Sequence, residues 1–178
     1  MIYEFMPQKN VRKLAGMLSI LISATVGFFL FTSLFPTMPL RWLFQLSGFV
    51  CIGIVIFIAA RYIGKNLVYG ISEGENGLDF TVTEVTNGGR SRVIVMRFAL
   101  SEVESVEFLG NDSGKKKLLS ERVKKERRPT YNYCAEMGDP NTYCVFFTQN
   151  GTHSLLKLSP DSVILDYLTK KAENTEDM

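Results

Sequence analysis

The sequence is organised around two apolar runs, LAGMLSILISATVGFFLFTSLF at residues 14–35 and WLFQLSGFVCIGIVIFIAARYI at residues 42–63, joined by PTMPLR. The first run has 22 residues without a charge. As an α-helix it extends roughly 33 Å, against a hydrocarbon core of about 30 Å. The second has 19 uncharged residues before Arg61, whose long side chain can reach the headgroups. The two runs therefore predict membrane-spanning helices at 14–35 and 42–63.

The short connection and the flanking charges predict how these helices lie in the membrane. Because an unpaired backbone cannot lie in hydrocarbon, two spans joined by six residues must form an antiparallel hairpin. Five basic residues flank the outer ends of the runs and one lies in the connection: Lys9, Arg12, Lys13, Arg61 and Lys65 against Arg41. This asymmetry predicts a two-span protein of the cell membrane with both termini in the cytoplasm. The alternative is a signal peptide at the N-terminus. A signal peptide has an apolar core shorter than these 22 residues and a small-residue cleavage site, which does not follow the first run.

Small side chains recur every four residues along the first run, at Ala15, Ser19, Ser23 and Gly27. Such a stripe allows close helix–helix packing in lipid, either within this hairpin or against another chain. Neither span carries an acidic residue, a lysine or a histidine at its centre, so the sequence offers no route for a proton or an ion.

The remaining chain divides into a cytoplasmic segment at 1–13, a single cytoplasmic domain at 64–172 and a tail at 173–178 that we expect to be disordered. From Gly64 onward, 15 basic residues stand against 17 acidic ones, so the domain is mildly acidic overall. Three cysteines, one of them in a span, make a poor disulfide framework and suit a reducing compartment.

Alternating apolar and polar residues, separated by short turns, predict a mainly antiparallel α+β domain. Leu78, Phe80 and Val82 alternate with polar residues, and Asn150-Gly151 is a strong hairpin turn. Seven strands are predicted, at 65–72, 78–83, 90–98, 103–109, 130–135, 143–148 and 152–158, with 130–135 and 143–148 as one pair. Consecutive strands with short turns exclude a parallel sheet. An amphipathic helix follows Ser159-Pro160-Asp161, with Ser159 as its N-cap.

The predicted interior of this domain consists of alternating strand positions and one face of the final helix: Leu78, Phe80, Val82, Phe147, Leu156, Ile164 and Leu168. Thr81 falls on the opposite face of its strand, where substitution should be nearly neutral.

Positive charge is concentrated in KKKLLSERVKKERR at 115–128, where eight basic residues stand against two glutamates. Near an anionic leaflet each basic residue gains about 1 kcal/mol. The sequence leaves open whether this basic loop is only solvated, contacts anionic lipid or binds a protein partner. The residues for lipid contact are Lys115, Lys116, Lys117, Lys124, Lys125, Arg127 and Arg128. Nucleic acid is not an expected partner, because no aromatic residue interleaves the basic ones.

Three stretches carry a resemblance to a known family: LVYGISEGENGLDF at 67–80, FALSEVESVEF at 98–108 and YCVFFTQNGTHSLLKLSPDSVILDYL at 143–168. Their strand, turn and helix patterns are similar to those of bacterial pleckstrin-homology-like (PH-like) proteins in which a two-helix membrane hairpin precedes the domain. The segment 115–128 departs from that pattern. The resemblance implies a PH-like barrel of about seven strands with a C-terminal helix, and a tendency to bind lipid headgroups or proteins.

Residues with catalytic potential are few and scattered. His153 is the only histidine and should lie opposite Thr148 across the hairpin turn. Cys144 lies four residues from Thr148 on the same strand, roughly 13 Å away, which is too far for a Cys–His dyad. Cys134 and Cys144 are expected to be packed thiols. We therefore predict no catalytic site, no cofactor and no metal.

The sequence thus predicts a membrane-anchored, non-enzymatic PH-like binding or assembly module at the inner face of the cytoplasmic membrane. Its expected partners are the membrane, anionic lipid headgroups, and a membrane protein, a cytoplasmic protein or a second copy of this chain. The alternative is an accessory subunit of a membrane transporter or stress-response complex, recognised through the transmembrane hairpin.

Overall fold

The computed structural model describes residues 2–74, 77–86, 89–110, 112–136 and 138–176, with side chains described as far as 170. The chain forms two compact units, one comprising Lys9–Lys65 and the other comprising Met1–Gln8 together with Asn66–Met178. Asn76, Asn87 and Gly88, which fall between the first three predicted strands, lie outside the described residues.

The helical unit contains α1 (Val11–Leu34) and α2 (Arg41–Ile58), and α2 continues as a π-helical turn at Ala59–Ile63. Both helices are long and apolar enough to cross a membrane. Their most apolar windows are 0% and 11% buried, whereas a core helix of a soluble protein would be mostly buried. The two predicted helices are therefore present, with α1 starting three residues early because Asn10 accepts the Lys13 N–H at 3.0 Å.

Aromatic contacts join the two helices of this hairpin. Phe29 meets Phe49 edge to face at 5.4 Å between ring centroids. The Phe29 ring also lies over Gly48, where an added Cβ would come within 2.9 Å of it. At the other end of the hairpin, the Lys9 ammonium donates to the carbonyl of Tyr62 at 2.6 Å and to that of Lys65. These contacts hold α1 and α2 antiparallel. Burial and the nearby charge of Arg61 lower the pKa of Lys9.

The first sheet of the other unit has the order β1-β2-β3-β4, with β1 at Tyr3–Phe5, β2 at Lys65–Gly74, β3 at Gly77–Thr86 and β4 at Ser91–Ala99. Strand β1 was not predicted, because three residues are too few to show a period of two. It pairs antiparallel with β2, with Tyr3 opposite Ile71 and Phe5 opposite Tyr69. The segment before the first helix therefore belongs to the same sheet as the segment after the second.

The second sheet has the order β5-β7-β8-β6, with β5 at Val103–Phe108, β6 at Thr130–Asn132, β7 at Tyr143–Gln149 and β8 at Thr152–Leu158. Asn150 and Gly151 both have positive φ, as the predicted hairpin turn requires. The predicted pairing of 130–135 with 143–148 is wrong, since β6 runs parallel to β8 with Tyr131 opposite Leu156. This pair is an exception in sheets that are otherwise mainly antiparallel, as predicted.

The described chain forms two four-stranded sheets, eight strands instead of seven, and these strands do not close into a barrel. The final helix, α4, spans Ser162–Glu176 and contacts β5. Asp161, not Ser159, accepts the Ile164 N–H at 3.0 Å and caps it. The predicted disordered tail overlaps this helix at 173–176, and its last two residues lie outside the described chain.

The core of the domain follows the predicted pattern with one correction. Six predicted residues are buried, and Leu78 is half-buried: Phe80, Val82, Phe147, Leu156, Ile164 and Leu168 are the buried ones. Thr81 is buried as well, with its hydroxyl 3.3 Å from the Gly70 carbonyl, so both faces of β3 are covered there. Its substitution is therefore not expected to be neutral.

Candidate functional site

The basic segment forms a helix, α3, at Ser113–Glu126, and the prediction of a loop was wrong. Asp112 caps the helix by accepting the N–H of Gly114 at 2.8 Å, and Arg127 ends it in the left-handed conformation. Leu119 and Val123, four residues apart, pack against Leu109, Cys144, Phe146 and Leu155. Two apolar positions in a run of lysines gave only a weak helical pattern, which explains why the sequence did not reveal it.

Folding into a helix separates the seven predicted lipid-contact residues. Lys117, Lys124 and Lys125 are exposed and lie on the side of the helix opposite Leu119, and Arg127 is exposed at its C-terminal end. Lys116 is half-buried, while Lys115 lies beside the buried face with its ammonium 6.0 Å from the Phe108 ring centroid. The predicted set is therefore not a single surface.

Arg128 is not available to lipid, because its side chain is only 12% exposed and is committed to two carboxylates. Its guanidinium pairs with Glu104 at 3.0 Å and with Glu126. Arg122 pairs with Glu107 at 3.1 Å. The Arg122 and Arg128 guanidinium carbons lie 4.7 and 5.4 Å from the centroid of the buried Phe146 ring. Both arginines therefore attach α3 to the second sheet through ion pairs and cation–π contacts.

Glu104 is the centre of this attachment. The register of β5 against β7 shifts between Val103 and Ser105, so Glu104 sits in a bulge that turns its side chain out of the regular pattern. Its carboxylate accepts hydrogen bonds from the Thr148 hydroxyl, from His153 Nδ1 and from Arg128. Burial raises the pKa of Glu104, but these hydrogen bonds and the charge of Arg128 outweigh it and hold the pKa at about 2.

Glu104, Thr148 and His153 lie together but do not have the geometry of a catalytic relay. His153 lies opposite Thr148, as predicted. Thr148 donates its hydroxyl hydrogen to Glu104, and its oxygen lies 2.6 Å from His153 Nδ1. Hydroxyl and carboxylate thus both meet the same imidazole nitrogen, whereas a relay needs the nucleophile on one nitrogen and the acid on the other.

The two cysteines of the domain are also poor candidates for reactive groups. Cys134 and Cys144 are buried and free, and burial raises both thiol pKa values, that of Cys144 to about 12. Thiols in that state are poor nucleophiles and poor metal ligands. No cluster of three metal-ligating side chains occurs among the described residues.

The depressed pKa of Glu104 predicts how stability depends on pH. Its pKa falls from an ordinary 4.5 to about 2 on folding, so its contribution is present above pH 4.5 and is lost as the pH falls from 4.5 to 2. We expect Glu104→Gln to flatten this part of the stability profile, measured by denaturant unfolding at each pH. The control is Glu121→Gln on the exposed face of α3. If Glu104→Gln and wild type lose stability in parallel over this range, Glu104 does not hold the helix.

The small residues Ala15, Ser19, Ser23 and Gly27 all lie on the exposed side of α1. A Cβ added at Gly27 would meet nothing within 4 Å. The hairpin packs instead through a face that includes Phe28, Phe29 and Phe31. The stripe therefore does not form the contact within the hairpin, and its contact with another chain stays a prediction.

Comparison with protein-family models, with curated proteins and with solved structures finds no match to this chain. The architecture that stands is two candidate membrane-spanning helices and a domain of two four-stranded sheets with a C-terminal helix.

Proposed function

We propose that this chain is a membrane-anchored, non-enzymatic PH-like binding or assembly module at the inner face of the cytoplasmic membrane. It contacts anionic lipid headgroups through the outer face of α3, by which we mean Lys117, Glu121, Lys124 and Lys125 together with Arg127 at the end of the helix. The observation that carries the proposal is the exposure of Lys117, Lys124, Lys125 and Arg127 at one side and end of this helix. Glu121 is the one acidic residue on that face. The order of two sheets followed by a C-terminal helix supports the PH-like assignment.

Two contacts support placing both ends of the hairpin on one side of the membrane. Strand β1 precedes the first helix and pairs with β2, which follows the second. Lys9, just before α1, donates to the carbonyls of Tyr62 and Lys65 after α2. A chain that crosses the bilayer twice can make both contacts, whereas a chain that crosses once cannot. With the basic asymmetry of the flanks, this favours a cytoplasmic domain.

The magnitude of the lipid contact follows from the charges. Four cations and one anion leave a net charge of +3 on the outer face of α3, which at about 1 kcal/mol per charge gives about 3 kcal/mol near an anionic leaflet. Such an energy is small for a free protein. Because the hairpin tethers the domain, the contact is effectively intramolecular and a weak interaction is enough to populate it. Screening beyond about 8 Å at physiological salt makes it salt-dependent.

The test uses the full chain, because a fragment beginning at Gly64 would lack β1. A Cys51→Ala, Ser120→Cys variant, labelled with a fluorophore on α3, is reconstituted into liposomes containing a headgroup quencher. We expect quenching to rise with the anionic lipid fraction and to fall with salt. Lys124→Glu with Lys125→Glu should weaken it more than tenfold, since two charges of about 1 kcal/mol each are lost and then reversed.

The matched control changes the same number of charges outside α3, through Arg90→Glu with Lys170→Glu, two exposed residues. We expect this control to keep most of the quenching. Equal quenching in wild type and the Lys124, Lys125 variant at every anionic fraction would remove the lipid contact from the proposal.

The second candidate function is an accessory subunit recognised through its transmembrane hairpin. It is favoured by the exposed side of α1 that carries Ser19, Ser23 and Gly27, which the hairpin itself does not use. Exchange of residues 11–63 for a foreign hairpin distinguishes the two candidate functions. It should abolish co-purification of a membrane partner only if the second candidate is correct.

A further inference from the structure

A groove of about 450 Å³ lies between the end of β5 and α3. Its floor is apolar and includes the buried residues Leu109, Leu119 and Cys144. Its walls are Phe108 and Leu118, which are 49% and 68% exposed although both are large and apolar. A volume of this size lies within the range of about 300 to 1,000 Å³ found for small-molecule sites.

The Phe108 wall is held in place. Its ring contacts the Tyr143 ring, with 5.0 Å between centroids. On another side it meets Gly110, where an added Cβ would come within 3.0 Å of the ring. Gly110 also has φ +56°, a conformation that favours glycine. The exposed aromatic wall is thus a preformed feature of the β5 end.

The charges around the groove leave one cation at its rim. Arg122 lines the groove, but its guanidinium pairs with Glu107 at 3.1 Å and with Glu126 at 3.5 Å. Lys115 also lines the groove and forms no ion pair with any side chain in the described part of the chain. An apolar floor with a single available ammonium at the rim complements a ligand that has one apolar chain and one negative headgroup.

We propose that this groove binds a single-chain anionic amphiphile of the fatty-acid type. The chain lies against Phe108, Leu118 and the floor, and the carboxylate pairs with Lys115. This site goes beyond the lipid contact proposed above. It uses the side of α3 opposite Lys117 and Lys124, and none of Lys117, Lys124 and Lys125 lines the groove.

The test uses the full chain in nanodiscs of phosphatidylcholine, where anionic headgroups are absent. The probe is a long-chain fatty acid with a photoreactive diazirine near its chain end, and labelled peptides are quantified by mass spectrometry. Labelling of the hairpin helices by probe dissolved in the bilayer serves as the internal reference. We expect residues 108–119 to be labelled. Excess unlabelled fatty acid should compete, whereas the fatty alcohol of equal length should compete at least fivefold less well.

Variants at exposed positions probe the site without endangering the fold. We expect Leu118→Asn and Lys115→Glu each to reduce labelling of 108–119 about tenfold relative to the hairpin, for loss of an apolar wall or of the cation. Lys117→Glu, on the other side of the same helix, should leave it unchanged. The Lys124→Glu, Lys125→Glu variant should also keep full labelling. A failure of the proposed contact with anionic headgroups can therefore be distinguished from a failure of this site. Labelling confined to the hairpin, or equal labelling of wild type and Leu118→Asn, would overturn the proposal, and equal competition by the alcohol would overturn the role of Lys115.

Discussion

Replacing Phe80 with alanine is expected to destabilise the domain by about 3 to 5 kcal/mol, a large share of the roughly 5 to 15 kcal/mol by which folded domains are stable. Phe80 is fully buried and its ring lies 6.2 Å from that of Tyr69 and 5.3 Å from that of Phe98. Phe98 in turn stacks on Phe147 of the second sheet at 4.4 Å. Removing Phe80 opens a cavity in the middle of this row, where neighbouring rings cannot collapse to fill it.

Denaturant unfolding of the reconstituted full chain, followed by near-UV circular dichroism, measures this effect. Leu168→Ala should cost about 2 to 5 kcal/mol because Leu168 is fully buried on α4. The control is Val93→Ala, at a β4 side chain that is 56% exposed. Similar midpoints for Phe80→Ala and Val93→Ala would mean that the assigned core is wrong.

The second large effect is expected from the N-terminal strand: Tyr3→Ala with Phe5→Ala should cost about 2 to 4 kcal/mol, since each loses part of a buried aromatic side chain. Both side chains pack against the core of the domain. The Tyr3 hydroxyl donates to Asp161 at the start of α4, and the Phe5 ring lies 6.3 Å from that of Tyr69. Two residues that precede α1 thus stabilise a domain that follows α2.

Unfolding of the same reconstituted chain provides the measurement, with Glu4→Ala as the matched control in the same strand. Glu4 points outward and pairs with the exposed Arg92 at 3.2 Å, a contact worth less than about 1 kcal/mol. A double variant that unfolds at the same denaturant concentration as Glu4→Ala would show that β1 does not contribute to the sheet.

The long periodic elements could be predicted from the sequence because each carries its own repeated signal. The two apolar helices, the alternation around Phe80 and the Asn150-Gly151 turn are of this kind. Strand β1 is too short to show periodicity and depends on a partner more than 60 residues away. The parallel pairing of β6 with β8 is also decided by tertiary packing, since no local pattern encodes which edge a three-residue strand joins.

The candidate site shows the same division. The concentration of charge at 115–128 was visible in the sequence, but which charges remain exposed depends on partners elsewhere. Glu104, brought out by a β-bulge, pairs with Arg128, and Glu107 pairs with Arg122. Helical phase then separates Lys117 and Lys124 from Lys115. Counting charges in the sequence could show neither which of them remain exposed nor which of them share a side of the helix.

Cysteine accessibility in intact cells tests whether the domain lies at the inner face of the membrane. In a Cys51→Ala background, Met38→Cys places a thiol in the connection between α1 and α2, and Ser113→Cys places one at the start of α3. We expect a membrane-impermeant thiol reagent to label Met38→Cys in intact cells and to label Ser113→Cys only after the cells are permeabilised. Labelling of Ser113→Cys in intact cells, with Met38→Cys protected, would contradict a domain at the inner face of the membrane.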